Sequence, residues 1–139
     1  MSGYSGTPLA KKLGIKPGAL VGAFSPPHYL SAVLAPLPTG VTMLTGPDRA
    51  CDVLLVFATE LAAIRRDLQK AIQLLRAKGG LWLCWPKKSS GIETDLAFEP
   101  VQRLGLDSGL VDNKVCAVDE TWSGLRFVVR QENRADWPR

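Results

Sequence analysis

Histidine is almost missing from this chain: His28 is the only one in 139 residues. A single imidazole excludes the HExxH zinc motif and every metal site built on several histidines. Cysteine is scarce as well, with residues 51, 84 and 116 and no CxxC pair. That spacing excludes the common zinc modules and suits a reducing compartment, so a cytoplasmic protein without a metal is expected. Long apolar runs are absent too. The longest, Val53 to Ala58, has six residues, whereas a membrane-spanning helix needs about 20. Lys11 and Lys12 are followed by Lys16 and Pro17 rather than by an apolar stretch, so neither a secretory leader nor a membrane association is expected. Carboxylates are missing from the first third, where nothing acidic precedes Asp48.

What is present describes a globular chain. Hydrophobic residues make up 46% and charged residues 22%, a balance that supports one domain able to fold without disulfides or a structural metal. The net charge of +4 is uneven, because Lys11, Lys12 and Lys16 have no acidic residue near them in sequence. This cationic region favours an anionic small molecule or a protein partner. Three lysines do not make the dense, aromatic-interleaved stripe of a nucleic-acid binder, so nucleic acid is not the expected partner.

The segments divide into residues 1–18, an N-terminal stretch with a short helix; 19–130, an α/β domain; and 131–139, a polar and loosely held tail apart from Trp137. Met1 to Gly6 reads as a mobile end. Thr7 and Pro8 open a helix that Gly14 stops. Ala19 to Phe24 reads as a strand, and Ser25 as the cap of a helix over about 26–35 that Pro36 and Pro38 end. Val41 to Leu44 and Asp52 to Ala58 read as further strands, the latter buried on both faces because its apolar residues do not alternate. Leu61, Ile64, Leu68, Ile72 and Leu75 form the apolar stripe of an amphipathic helix, with Gly79 and Gly80 as its stop. Leu81 to Trp85 is a fourth apolar strand. A loop from Gly91 to Phe98 and a short helix over Glu99 to Leu106 follow. Val111 to Val118 and Leu125 to Arg130 form a strand pair joined by Asp119 to Gly124. Strands alternating with helices imply a mostly parallel, Rossmann-like sheet with helices on both faces, and the last pair adds an antiparallel edge.

Three strings carry a resemblance: Gly3-Tyr4-Ser5-Gly6-Thr7-Pro8-Leu9-Ala10-Lys11-Lys12-Leu13-Gly14, Trp85-Pro86-Lys87-Lys88, and Val115-Cys116-Ala117-Val118-Asp119-Glu120-Thr121-Trp122-Ser123-Gly124. With them the chain resembles the bacterial family known as domain of unknown function 3052, which brings no established activity or catalytic residues. More distantly it resembles class I S-adenosylmethionine methyltransferases, which also carry a turn like Ile15-Lys16-Pro17-Gly18 before the first strand and an antiparallel pair at the sheet edge. In that family the first strand ends in an acidic residue followed by a Gly-x-Gly loop, and a second acidic residue ends the second strand. Here Phe24-Ser25-Pro26-Pro27-His28 and Leu44-Thr45-Gly46-Pro47 stand in those places. The resemblance thus implies the architecture, while the departures imply that no cofactor is bound.

In open parallel sheets ligands gather outside the carboxyl ends of the strands. That edge should collect Ser25 to His28, Thr59 and Glu60, Pro86 to Gly91, and Asp119 to Ser123. Lys87, Lys88, Ser89 and Ser90 combine cations, hydroxyls and a flexible backbone suited to phosphate or carboxylate, although without P-loop spacing. As plain structure they form a solvated connection. Thr121, Trp122 and Ser123 add hydroxyls and an aromatic platform, or else simply close a hairpin. His28 is a candidate base beside Asp119 or Glu120, and the plainer reading makes it a surface residue. Cys84 and Cys116 read as buried, inert hydrophobes.

With one histidine, no nucleophile elbow, no metal motif and no glycine-rich loop, the balance leans away from an enzyme. The first expectation is a binding or regulatory module with an anion- or partner-binding edge. The alternative is a small transferase or hydrolase acting on an anionic substrate. A weak nucleic-acid binder ranks last.

Overall fold

The computed structural model describes residues 7–138. The Gly-rich start, Met1 to Gly6, and Arg139 lie outside the described residues, and with them the expectation of a mobile N-terminal end. Six strands form one sheet: β1 (Leu20–Phe24), β2 (Thr42–Thr45), β3 (Cys51–Phe57), β4 (Leu75–Pro86), β5 (Leu110–Ala117) and β6 (Trp122–Val129). Their spatial order is β2-β1-β3-β4-β6-β5. The first four are parallel, and β6 runs antiparallel to both β4 and β5. The α/β sheet with an antiparallel C-terminal pair is therefore the architecture read from the sequence.

Four helices cover the two faces: α1 (Leu9–Lys12), α2 (Leu30–Leu34), α3 (Leu61–Leu74) and α4 (Phe98–Asp107). Ala10 and Leu13 from α1 and its end join Leu30 and Leu34 of α2 in one apolar cluster, with Val21, Leu55 and Trp82 from the sheet. Ile64, Leu68 and Ala71 of α3 and Val101 of α4 pack on the other face, against Leu54, Leu81, Leu83 and Phe127. Connections that move one way along the sheet use one face and those that move the other way use the opposite face, as uniformly right-handed crossovers require.

The passage from β2 to β3 is unusual because it has no helix. Residues 46–50 cross back over β1, and the buried Pro47 rests on Gly22, where a Cβ would meet Pro47 Cγ at 2.5 Å. A parallel crossover ordinarily needs at least about 10 to 12 residues. Gly22 makes the short route feasible by leaving the strand flat at that point.

Several boundaries differ from the sequence reading, each for a local reason. Ser25 does not cap α2; it adopts φ +51 in the turn that leaves β1, and α2 begins only at Leu30. Helix α3 ends at Leu74 rather than at the glycine pair, because Leu75 already pairs with Cys51. Four residues, Arg76 to Gly79, then stand opposite the single residue Asp52 in a bulge. Gly79 serves the close approach there, since its Cβ would lie 2.5 Å from the Asp52 carbonyl oxygen. Trp122 to Gly124 belong to β6 rather than to its preceding turn. The tail is anchored, because Trp137 packs on the core and its indole N–H donates to the Leu75 carbonyl at 3.0 Å.

Leu68 is 1% exposed and faces the sheet, whereas Gln69 beside it is exposed. Leu68→Ala is expected to cost about 2–5 kcal/mol through lost burial and a residual cavity, and Gln69→Ala about 0.5 kcal/mol or less. Urea unfolding checks this, and equal midpoints for the two variants would refute the packing.

Candidate functional site

The carboxyl ends of the parallel strands divide into two halves. Over the α3 side, the segment 91–97 folds down onto the edge. Thr94 Oγ1 donates to the Thr59 carbonyl at 2.6 Å, and Asp95 Oδ1 accepts from the Leu61 amide at 2.8 Å. Asp95 thus caps α3 from a distance in sequence, and the positive end of that helix already faces a carboxylate. Glu60 precedes the helix without making a side-chain cap.

The other half is built around Tyr29, just before α2. Its hydroxyl feels the Asp119 carboxylate and the Thr121 and Trp122 side chains. Asp119 is set by its own turn, with Oδ1 accepting from the Thr121 and Trp122 amides, both at 2.8 Å. Trp122 forms the floor with Phe57 of β3, their rings 5.2 Å apart and nearly perpendicular. The Lys87 amide donates to the Thr121 carbonyl at 2.8 Å, tying the end of β4 to the same turn. Burial is the main influence that raises the Tyr29 pKa, and Asp119 adds to it by accepting the phenolic proton and by charge repulsion. Trp122 and Thr121 oppose the rise by stabilising the phenolate.

The residues singled out in the sequence fall into distinct roles. Asp119, Thr121, Trp122 and Lys87 meet at this point. His28 is exposed and makes an edge-to-face contact with Tyr29, ring centroids 5.3 Å apart, so Tyr29 stands where His28 was expected to meet Asp119. Glu120 is exposed at the tip of the turn. Lys88 and Ser89 are exposed in a 3₁₀ turn, and Ser90 is used internally, its Oγ donating to the Lys87 carbonyl at 2.6 Å and accepting from the Ile92 amide. Ser123 lies in the ladder between Trp85 and Ala117. Tyr29 escaped the sequence reading because nothing local marks a tyrosine whose partner lies 90 positions away. Cys51, Cys84 and Cys116 are free and buried, and burial raises each thiol above the ordinary range. Among the described residues no group of His, Cys, Asp or Glu could hold a metal, and no helix is long and apolar enough to cross a membrane.

Solved structures that resemble this one include methyltransferases. A ribosomal protein L11 methylase from Lactobacillus delbrueckii subsp. bulgaricus aligns over 88% of this chain and 75% of its own, with TM-score 0.63 and 9% identity. A precorrin-6y C5,15-methyltransferase from Geobacter metallireducens aligns over 88% and 86%, with TM-score 0.63 and 8% identity. A SAM-dependent methyltransferase from Aquifex aeolicus aligns over 88% of each chain, with TM-score 0.55 and 14% identity. No family model matches the sequence, and no curated protein matches it. The chain has the Rossmann-like methyltransferase fold. This corrects the lean away from an enzyme, which rested on missing motifs, because these three solved structures share the fold and are methyltransferases.

The residues at the ends of β1 and β2 do not fit S-adenosylmethionine in the manner the resemblance implies. Ser25 keeps the left-handed turn that glycine would supply, but Pro26 and Pro27 offer no N–H donors. Gly22, the glycine of β1, is covered by Pro47 and Leu54. No carboxylate ends either strand, and Asp48 beyond β2 is exposed and paired with Arg49. Titration calorimetry with S-adenosylmethionine is expected to show no saturation at micromolar concentrations, and clear saturation would overturn this assessment.

A second expectation concerns pH. A folded tyrosine whose pKa is raised stabilises the fold fully below the unfolded value of about 10 and loses that contribution as pH rises through the folded value. The stability of the wild type should therefore fall more steeply than that of Tyr29→Phe across alkaline pH. Parallel stability profiles for the two proteins would refute the environment assigned to Tyr29.

Proposed function

We propose that this chain is a small transferase acting on an anionic substrate held over the half of the strand edge that contains Tyr29 and Asp119. The observation that carries this reading is the Tyr29 hydroxyl set against the Asp119 carboxylate beside Lys87. At neutral pH a tyrosine with a raised pKa remains a hydrogen-bond donor, suited to charge developing on a substrate oxygen. Asp119, oriented by two amides, can accept a proton from a substrate hydroxyl or amine. Lys87 and Lys88 would draw the anionic group to the edge, with Ser89, Thr121 and Ser123 as secondary polar contacts. His28 and Glu120 would stand on the rim. The methyltransferase fold supports the transferase class, and any donor would be held by contacts other than those of the S-adenosylmethionine family. We further assign the chain to the domain of unknown function 3052 family on its three matching strings, and to the cytoplasm on its free thiols.

The test starts with phosphorylated and carboxylated metabolites, screened by NMR for shifts of the Lys87 and Thr121 amides and for substrate consumption. Tyr29→Phe and Asp119→Asn should each lower turnover by roughly 10²- to 10⁴-fold, the range of a lost general acid or base. Lys87→Ala with Lys88→Ala should weaken binding, and added salt should weaken it further. Binding without conversion would replace the enzyme by a binding module, and no effect of the Tyr29 and Asp119 variants would remove this site from the chemistry.

A further inference from the structure

The opposite end of the sheet carries a second cleft, independent of the Tyr29 site. It opens where β1 begins, between the turn Lys16 to Gly18 and the bulge Arg76 to Gly79, and its volume is about 680 Å³. Lys16, Arg76, Lys78 and Arg126 line it against one carboxylate, Asp52. Asp52 is already engaged, since Oδ2 accepts from the Leu20 amide at 2.8 Å and Oδ1 lies 3.4 Å from Arg76 Nη1. Positive charge therefore exceeds negative within the cleft.

Arg126 is the informative member. It projects from β6 across Gly80, where a Cβ would lie 2.6 Å from Arg126 Nε, and its guanidinium comes within 4 Å of the Cβ position of Gly14. Its side-chain hydrogen bond goes to a neutral group, Asn113 Oδ1, at 3.4 Å. Burial lowers its pKa, and no carboxylate among the described residues offsets that effect. A guanidinium that is half withdrawn from water, faces an open cleft and has no ion-pair partner among the described residues is a site prepared for an anion. Its planar fork suits a phosphate, and the exposed ammonium groups of Lys16 and Lys78 can neutralise further charge. The volume exceeds what a bare phosphate fills and falls within the usual range of small-molecule sites, about 300–1,000 Å³. Pro17 and Ala77 offer apolar surface for an organic portion.

We propose that this cleft binds a small organic phosphate, with Arg126 as the central contact and Lys16 and Lys78 at the rim. Inorganic pyrophosphate and a nucleoside diphosphate serve as probes, followed by calorimetry and by NMR of the Gly79 and Gly80 amides. Both should saturate with shifts at those amides, and the organic diphosphate should bind more tightly. Arg126→Gln should weaken binding by roughly tenfold or more, in line with loss of a partly desolvated charge contact. Lys16→Gln with Lys78→Gln, both at exposed positions, should also weaken it and gives the reading if Arg126→Gln fails to fold. Lys70→Gln, an equal charge change on the exposed side of α3, should leave affinity unchanged. The proposal is overturned if neither probe saturates at millimolar concentration, or if the shifts fall on Lys87 and Thr121 instead. It is equally overturned if the cleft variants bind like the wild type, or if a single-stranded oligonucleotide outcompetes the nucleoside diphosphate.

Discussion

Strand β4 is hydrogen-bonded along both sides, to β3 in parallel and to β6 in antiparallel orientation, and every residue from Gly79 to Pro86 is buried. Leu81, Leu83 and Trp85 face one apolar cluster, while Trp82 and Cys84 face the other. A strand with no exposed side can hold few polar atoms, and each must find a partner inside the protein. Trp82 does so by donating its indole N–H to the Leu13 carbonyl at 3.0 Å, which also fixes the segment after α1 against the sheet. The polar chemistry of the molecule is consequently displaced to the two places where β4 meets water. One is the turn beginning at Lys87 and the other is the bulge beginning at Arg76.

Those two ends are built differently. At the carboxyl end, the Lys87 amide ties β4 to the turn that Asp119 orders by accepting from two amides, and Tyr29 lies beside that carboxylate. That arrangement restrains a hydroxyl and a carboxylate relative to one another, as proton transfer requires. At the amino end the backbone is irregular, two glycines flatten the floor, and the charges come from long side chains at its borders. Such a surface attracts charge without holding reacting atoms in register.

The parallel strands were legible in the sequence because burial on both faces demands unbroken apolar runs, as in Val53 to Phe57 and Leu81 to Trp85. The stripe of α3 was equally plain, since Ile64 and Leu68 repeat at helical spacing. The end of that helix was misread, because Gly79 and Gly80 look like a stop when only local signals are considered. Their actual role depends on the Asp52 carbonyl from a neighbouring strand. At the candidate site, Lys87, Asp119 and Trp122 stood out through charge and position next to predicted strands. Tyr29 did not, for its significance arises only when the sheet brings the ends of β1 and β6 together. The same holds for Arg126, which alternation marks merely as one polar residue in a strand.

The hydrogen bond from the Leu61 amide to Asp95 joins the first turn of α3 to a segment 34 residues later in the chain. With Thr94 held on the Thr59 carbonyl, the segment and the helix start share a single set of contacts. Their stabilities are linked in the thermodynamic sense: whatever lifts the segment from the edge also removes the cap, and whatever frays the helix loosens the segment. Access to that half of the edge is therefore governed by a reciprocal coupling between two parts of the fold, and a molecule arriving there would meet resistance from the start of α3 itself.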